Sequence, residues 1–193
     1  MATVGLKNLV YCKLTSDDET AVVYDVEVTK MAKIIDATIT PSSSVDNLYA
    51  DDGIAETVTS LGNIEVELEV DDLKNEVLAA LLGHTIDTNG VLIKSFNDSP
   101  PYVAIGFKSK KANDSMKYIW LYKGKFSLNS QEHHTQEDGT DFKTDTISST
   151  FIKRNYNDEY QAVADEDSLE PAEVDLVTGV WFDAVYEKDA TLI

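Results

Sequence analysis

Residues 63–83, NIEVELEVDDLKNEVLAALLG, change period in the middle. Up to Val70 the alternation is strict, with Ile64, Val66, Leu68 and Val70 on one side and Glu65, Glu67 and Glu69 on the other. Side chains repeating every two residues fall on opposite faces of a strand, so this strand has one buried and one polar side. From Leu73 the spacing turns helical, because Leu73, Val77 and Leu81, with Leu78 and Leu82 beside them, form one apolar stripe. Asp71 or Asp72 is available as N-cap, where a carboxylate meets free backbone N–H groups and the positive helix end. Gly83 suits the stop, because glycine reaches positive φ at little cost. The spacing predicts a helix over about 71–83, delivered by its strand onto a shared apolar core. The glutamate row is left without an obvious task.

Working outward, residues 3–14 carry Val4, Leu6, Leu9, Val10 and Leu14 with no clean period, which fits an N-terminal arm or an edge strand. Residues 21–29 and 34–40 alternate as strands, the second stopped by Pro41. Residues 41–57, PSSSVDNLYADDGIAET, read as a long irregular loop that displays Leu48 and Tyr49 and turns at Asp51-Asp52-Gly53. Loops of that length in compact domains are usually functional, so an interaction loop is expected. Asn89-Gly90 marks a hairpin. Residues 102–109 and 117–126 form another, whose second strand puts Tyr118, Trp120, Tyr122 and Phe126 in one aromatic row. Strands at 144–154 and 159–164 follow, then an acidic connector at 165–171 and an apolar end around Trp181, Phe182, Val185 and Tyr186 that should dock on something. Nine or ten strands with one helix imply a mainly β fold, an antiparallel β-sandwich or barrel with that helix packed against it.

The chain has 193 residues, 42% of them apolar, enough for one core. No apolar run reaches the ~20 residues that span a bilayer, and the N-terminus lacks the charge and apolar pattern of a secretory signal. Cys12 is alone, which excludes an intrachain disulfide and fits synthesis in a reducing cytosol. A net charge of −19, from 35 acidic and 16 basic side chains, argues against a conventional nucleic-acid binder. The charge is uneven. Residues 108–125 carry a local +5 through Lys108, Lys110, Lys111, Lys117, Lys123 and Lys125, and residues 155–193 a local −10. Unlike patches on one chain can serve self-association or can be ordinary solvated faces.

Tests for chemistry fail in turn. His84, His133 and His134 show no metal-ligand spacing, and the Gly53 and Gly90 turns lack calcium ligands at the required positions. No phosphate loop, serine elbow or Cys/His pair occurs in the sequence. Glu65, Glu67 and Glu69 lie in line on one strand, whereas paired catalytic carboxylates face each other across a cleft. No enzyme, cofactor or metal site is expected.

The segments LYADDGIAET, GNIEVELEVDDL, LLGH, YVAIGFKS, WLYKGKF and FKTDTISSTFIKR, in this order, closely resemble the major tail proteins of long, non-contractile-tailed phages of Gram-positive bacteria. The likeness runs from about residue 3 to about 165, with Ile54 standing where the family pattern suggests proline. It implies a tail-tube β-sandwich domain over 1–165 with an N-terminal arm and the long loop 41–57; the acidic C-terminal extension over 166–193 looks like a variable tail, to which nothing of the resemblance carries over. It implies hexameric rings of this chain stacked around a tape measure protein. Tail terminator and distal tail proteins would be further partners, DNA would pass through transiently, and no membrane would be entered. The place implied is the virion tail after synthesis in the host cytoplasm. In that setting the loop would bridge subunits or rings, with Leu48, Tyr49, Asp51, Asp52 and Glu56 as its contact residues. The Glu65, Glu67 and Glu69 face could line the lumen or the exterior. Lys108, Lys110, Lys111 and Lys117 would belong to ring contacts. The rival expectation is a soluble acidic β-sandwich binding module, calcium-dependent or DNA-mimicking and non-enzymatic.

Overall fold

The structure, a computed structural model, describes residues 2–50, 53–127 and 144–188. Its strands are β1 (Thr3–Asp17), β2 (Val22–Tyr24), β3 (Thr29–Ala32), β4 (Ile34–Ala50), β5 (Gly53–Val70), β6 (Thr85–Ile86), β7 (Leu92–Ile93), β8 (Val103–Lys111), β9 (Met116–Phe126), β10 (Asp145–Ile152) and β11 (Gln161–Asp165). Two helices complete it, α1 (Asn75–Leu82) and α2 (Pro171–Val180). All strand pairs are antiparallel, and the main sheet runs β2-β1-β8-β9-β10-β5-β4, with β3 added to β1 and β11 to β9. β6 and β7 form a small separate hairpin beside α1. The fold is mainly β, as expected, and the sheet does not close into a barrel among the described residues.

Each face of the sheet has its own core. On one, Ile64, Val66, Leu68 and Val70 of β5 meet Val103, Ile105 and Phe107 of β8, and α1 buries Val77, Leu81 and Leu82 against them. On the other, Tyr118, Trp120 and Tyr122 of β9 are covered by Val177, Trp181 and Val185 from α2 and the segment after it. The apolar end does dock, and it docks on the aromatic row. Trp120 Nε1 donates to the Trp181 carbonyl at 2.8 Å and the Tyr122 hydroxyl to the Tyr186 carbonyl at 2.9 Å.

Bulges move residues between these cores. Between Val103/Ile105 and their partners Gly124/Leu121, β9 carries one extra residue, and a one-residue slip exchanges the two faces. Leu121 and Phe126 therefore share a core that Tyr118, Trp120 and Tyr122 do not, which corrects the single four-member row. A second bulge lies between Lys7 and Val10, at Asn8 with φ 56°. It explains the missing period of residues 3–14. β1 is hydrogen-bonded to β8 on one side and to β2 and β3 on the other, an interior strand.

Four further expectations need correction. Residues 21–29 are not one strand, because Asp25 turns its carboxylate onto the Val26 N–H and Val26 stands 94% exposed between β2 and β3. The helix begins at Asn75, and its N-cap is Lys74 with no side-chain cap. Asp71 instead accepts from Lys33 N–H, and Asp145 of β10 accepts from Leu73 N–H. The C-terminal end is as expected, with Gly83 at φ 75° returning its N–H to the Ala79 carbonyl. The segment 41–57 is not an irregular loop. Its described residues continue β4 and β5 as a ladder in which Ser44 meets Ser60 and Asn47 meets Thr57. Pro41 does not stop β4, because β4 ends the sheet and an edge strand can spare an N–H.

Candidate assembly surfaces

Two surfaces grow out of β4 and β5. Strict alternation sends Glu65, Glu67 and Glu69 away from the core, and register aligns them with both neighbours. The rows are Asp36–Glu69–Thr146, Thr38–Glu67–Ser148 and Thr40–Glu65–Thr150, four carboxylates and five hydroxyls with no positive charge among them. Thr144 Oγ1 donates to Glu69 at 2.6 Å. A shallow groove of about 250 Å³ follows the same face past Thr38, Thr40, Glu65 and Glu67. Carboxylates in line along a groove floor are not the opposed pair that glycoside chemistry needs. They make a sheet of like charge.

The second surface is the far half of the β4–β5 hairpin, which leaves the body beyond Pro41 and Ile64. An extra residue on β5 there swaps its alternation, so Val45 and Tyr49 of β4 and Leu61 and Ile54 of β5 prolong the core-facing side. Among the described residues no element covers them, and Tyr49 is 68% exposed. Leu48 pairs with Glu56 on the opposite side and is also exposed. Asp51 and Asp52, expected as loop contacts, lie outside the described residues.

The lysine hairpin is less free than its charge suggests. Lys111 is 5% exposed and forms ion pairs with Asp165 and Asp167, whose hydrogen bonds hold its pKa above the ordinary lysine value. Lys110 pairs with Asp114, and Lys108 lies over the Tyr118 ring at 5.4 Å. Lys117 stands across from Asp165 in the β9–β11 register. Acids of β11 and its following turn thus meet the basic hairpin inside one subunit.

Cys12 and His84 are both engaged within the fold. Cys12 is buried, its Sγ donates to the Asp25 carbonyl at 3.3 Å, and burial pushes its pKa to about 11. His84 Nδ1 meets Asp98 Oδ2 at 2.7 Å, and His133 and His134 lie outside the described residues. No group of three or more His, Cys, Asp or Glu able to hold a metal occurs among the described residues, and none of the helices there is long and apolar enough to cross a membrane.

Sequence reading missed one cluster. Arg154, fully buried, bonds Glu187 and Glu159 and lies 3.8 Å from the Tyr122 ring centroid. Burial opposes its charge, but the hydrogen bond to Glu187 and the neighbouring groups outweigh that and raise its pKa. The available signal was the acid-rich tail around an arginine followed by Asn157 and Glu159.

A family model described as phage tail tube protein matches residues 1–170. The chain belongs to the phage tail tube protein family. It is a structural protein of the bacteriophage virion, a major tail protein, and the place of this tail tube subunit is the virion tail. Members self-associate into a tube and meet other tail components. No curated protein matches the tail tube subunit. Among the described residues, α2 and the segment that closes the second core lie beyond the matched region.

Proposed function

We propose that this subunit forms hexameric rings that stack into the tube of a long, non-contractile phage tail. The tube encloses a tape measure protein and later conducts DNA into a Gram-positive host. The observation that carries the reading is the projecting β4–β5 hairpin, with Val45, Leu61, Tyr49 and Ile54 uncovered on its core-facing side. Exposed apolar surface concentrated on one ribbon is a liability in a monomer and an interface in an assembly. The hairpin then bridges adjacent subunits or rings, with Leu48, Tyr49 and Glu56 among its contacts.

Glu65, Glu67 and Glu69 line the bore in this reading. Six copies place about 18 carboxylates in each ring, a field that keeps phosphate from adhering. Lys108, Lys110 and Lys117 lie at ring contacts, away from DNA. The subunit has no enzymatic task. It is made in the host cytoplasm, and tail terminator and distal tail proteins close the two ends of the tube. Heterologous stacking without closing symmetry along the axis yields the required filament. Negative-stain microscopy of concentrated protein tests the reading, with rings and tubes about one subunit thick per repeat expected. Persistent monomers under every assembly condition, above all monomers that bind calcium, would replace it with the soluble binding-module reading.

A further inference from the structure

Phe96 is fully exposed, yet it sits on a fixed turn. Ser95 N–H donates to Asp98 Oδ2 at 2.7 Å, Asp98 N–H returns to the Ser95 carbonyl at 3.2 Å, and Asn97 N–H reaches Ser95 Oγ at 3.3 Å. The same Asp98 oxygen meets the buried His84 ring, which ties the turn to the body behind α1. A large aromatic held in solvent by a pre-set turn has little entropy left to lose on burial, the property of a binding anchor. Val91 and Ile93, both about half exposed, precede it, and the exposed Lys94 stands two residues away.

On the other face of the sheet, β11 and α2 enclose an open groove of about 430 Å³. Its walls are apolar: Ala162 and Ala164 from β11, Leu169, and Val177, Trp181 and Tyr186 from α2 and beyond. Asp165, Ser168 and Glu173 are its polar lining. A cavity of about 150 Å³ holds a benzene ring, so this groove has room for a phenylalanine ring and its stem. Asp165 is engaged with Lys111, whereas Glu173, in the first turn of α2, is exposed.

We infer that Phe96 and Lys94 form a knob that enters the β11–α2 groove of a second copy of this chain, the ring on the apolar walls and the ammonium against Glu173. The knob lies beside α1 on the first-core side and the groove on the second-core side, so one chain cannot satisfy both. Each copy then offers a knob to one neighbour and a groove to the next, a head-to-tail contact that repeats. Size, apolarity and charge all match between the two halves. The α2 wall lies beyond residues 1–170, so this contact adds to whatever the matched region supplies. The inference rests on self-association of the subunit.

The test measures the critical concentration for assembly by light scattering and microscopy. Phe96→Ala is expected to raise it at least about tenfold, as loss of a central aromatic anchor does. Lys94→Glu and Glu173→Lys are each expected to raise it, and the double variant to recover most of the loss. Phe96→Cys with Val163→Cys should give copy-to-copy disulfides on oxidation of assembled protein. Lys94 and Phe96 are exposed, so their variants should melt with the wild type and any assembly defect is not a folding defect. Wild-type tubes alongside unaffected variants overturn the knob and groove while the tube reading stands. Wild-type protein that never assembles overturns both.

Discussion

Asp17 and Lys123 form an ion pair at 2.5 Å with side chains only 4% and 7% exposed. The same carboxylate accepts N–H bonds from Asn155 and Tyr156, so the end of β1, the bulged part of β9 and the turn after β10 meet on one residue. Removing one member of a buried pair strands the other charge, at a cost of about 3–5 kcal/mol. Asp17→Asn should therefore lower Tm by roughly 6–20 °C for a chain of this size, checked by calorimetry. Asp17→Asn with Lys123→Met should recover part of the loss, because no charge is then left buried.

The same cluster sets acid sensitivity. Burial pushes the Asp17 carboxyl up, but bonds from Asn155, Lys123 and Tyr156 together outweigh it and hold it below its ordinary value. Asp165 and Asp167 are lowered too, chiefly by their bonds to Lys111. A carboxylate depressed in the folded state contributes stability that is complete above its unfolded pKa, about 3.9, and is lost as pH falls through the folded value. Urea midpoints should stay flat through this contribution at neutral pH and fall below about pH 4. Asp17→Asn should make that fall shallower. A wild-type midpoint that does not drop in acid would contradict it.

Two glycines face aromatic rings across the ladder. A Cβ at Gly106 would stand 2.9 Å from the Trp120 ring, and one at Gly124 would stand 2.6 Å from the Phe151 ring. Both rings are fully buried and cannot swing clear, so Gly106→Ala and Gly124→Ala should each cost about 1–3 kcal/mol through overpacking. Gly179 in α2 has nothing within 4 Å, and Gly179→Ala should gain about 0.5–1 kcal/mol from helix propensity. Denaturant midpoints of the three variants read the opposite signs directly.

What the sequence disclosed and what it hid divide along the bulges. Residues 63–70 were legible because nothing interrupts their alternation, and Gly83 because its left-handed conformation has a residue signature. The aromatic row was half legible: one extra residue near Lys123 sends Phe126 to the other core, and no residue type announces that slip. The hairpin beyond Pro41 was hidden because its polar, uncovered ladder lacks the alternation that burial imposes. Its display of Leu48 and Tyr49 was legible all the same. α2 was hidden by β-branched residues and Gly179, although Pro171 at its first turn was a usable start signal. The lysine excess was visible, but its partners sit some 54 and 56 residues away at Asp165 and Asp167, beyond any local pattern.

The C-terminal segment should behave as part of the fold. Trp181 is buried against Tyr118, stacks on Tyr186 at 4.7 Å and accepts the Trp120 Nε1 hydrogen bond through its backbone. Trp181→Ala should cost about 3–5 kcal/mol, the loss typical of a buried aromatic. A chain ending at residue 170 should expose the aromatic row and bind a hydrophobic dye. An equally stable truncated chain that leaves the dye dark would show that the sheet face needs no cover.

The glutamate face gives the sharpest functional test. Glu65 and Glu67 are exposed and Glu69 partly so, and all three point away from the core, so their replacement by lysine should leave folding and assembly largely intact. If they line the bore, the Glu65→Lys/Glu67→Lys/Glu69→Lys tube presents about 18 positive charges per ring to passing phosphate. DNA should then stall, and ejection measured from purified virions should be slow and incomplete. Attraction between exposed charges weakens within a Debye length of about 8–10 Å at ordinary ionic strength. Raising the salt should therefore partly restore ejection in the lysine variant and change the wild type little. The neutral triple replacement by glutamine should show a smaller defect, since it removes repulsion without adding attraction. Normal ejection and infectivity of the lysine variant would place this face on the outside of the tube.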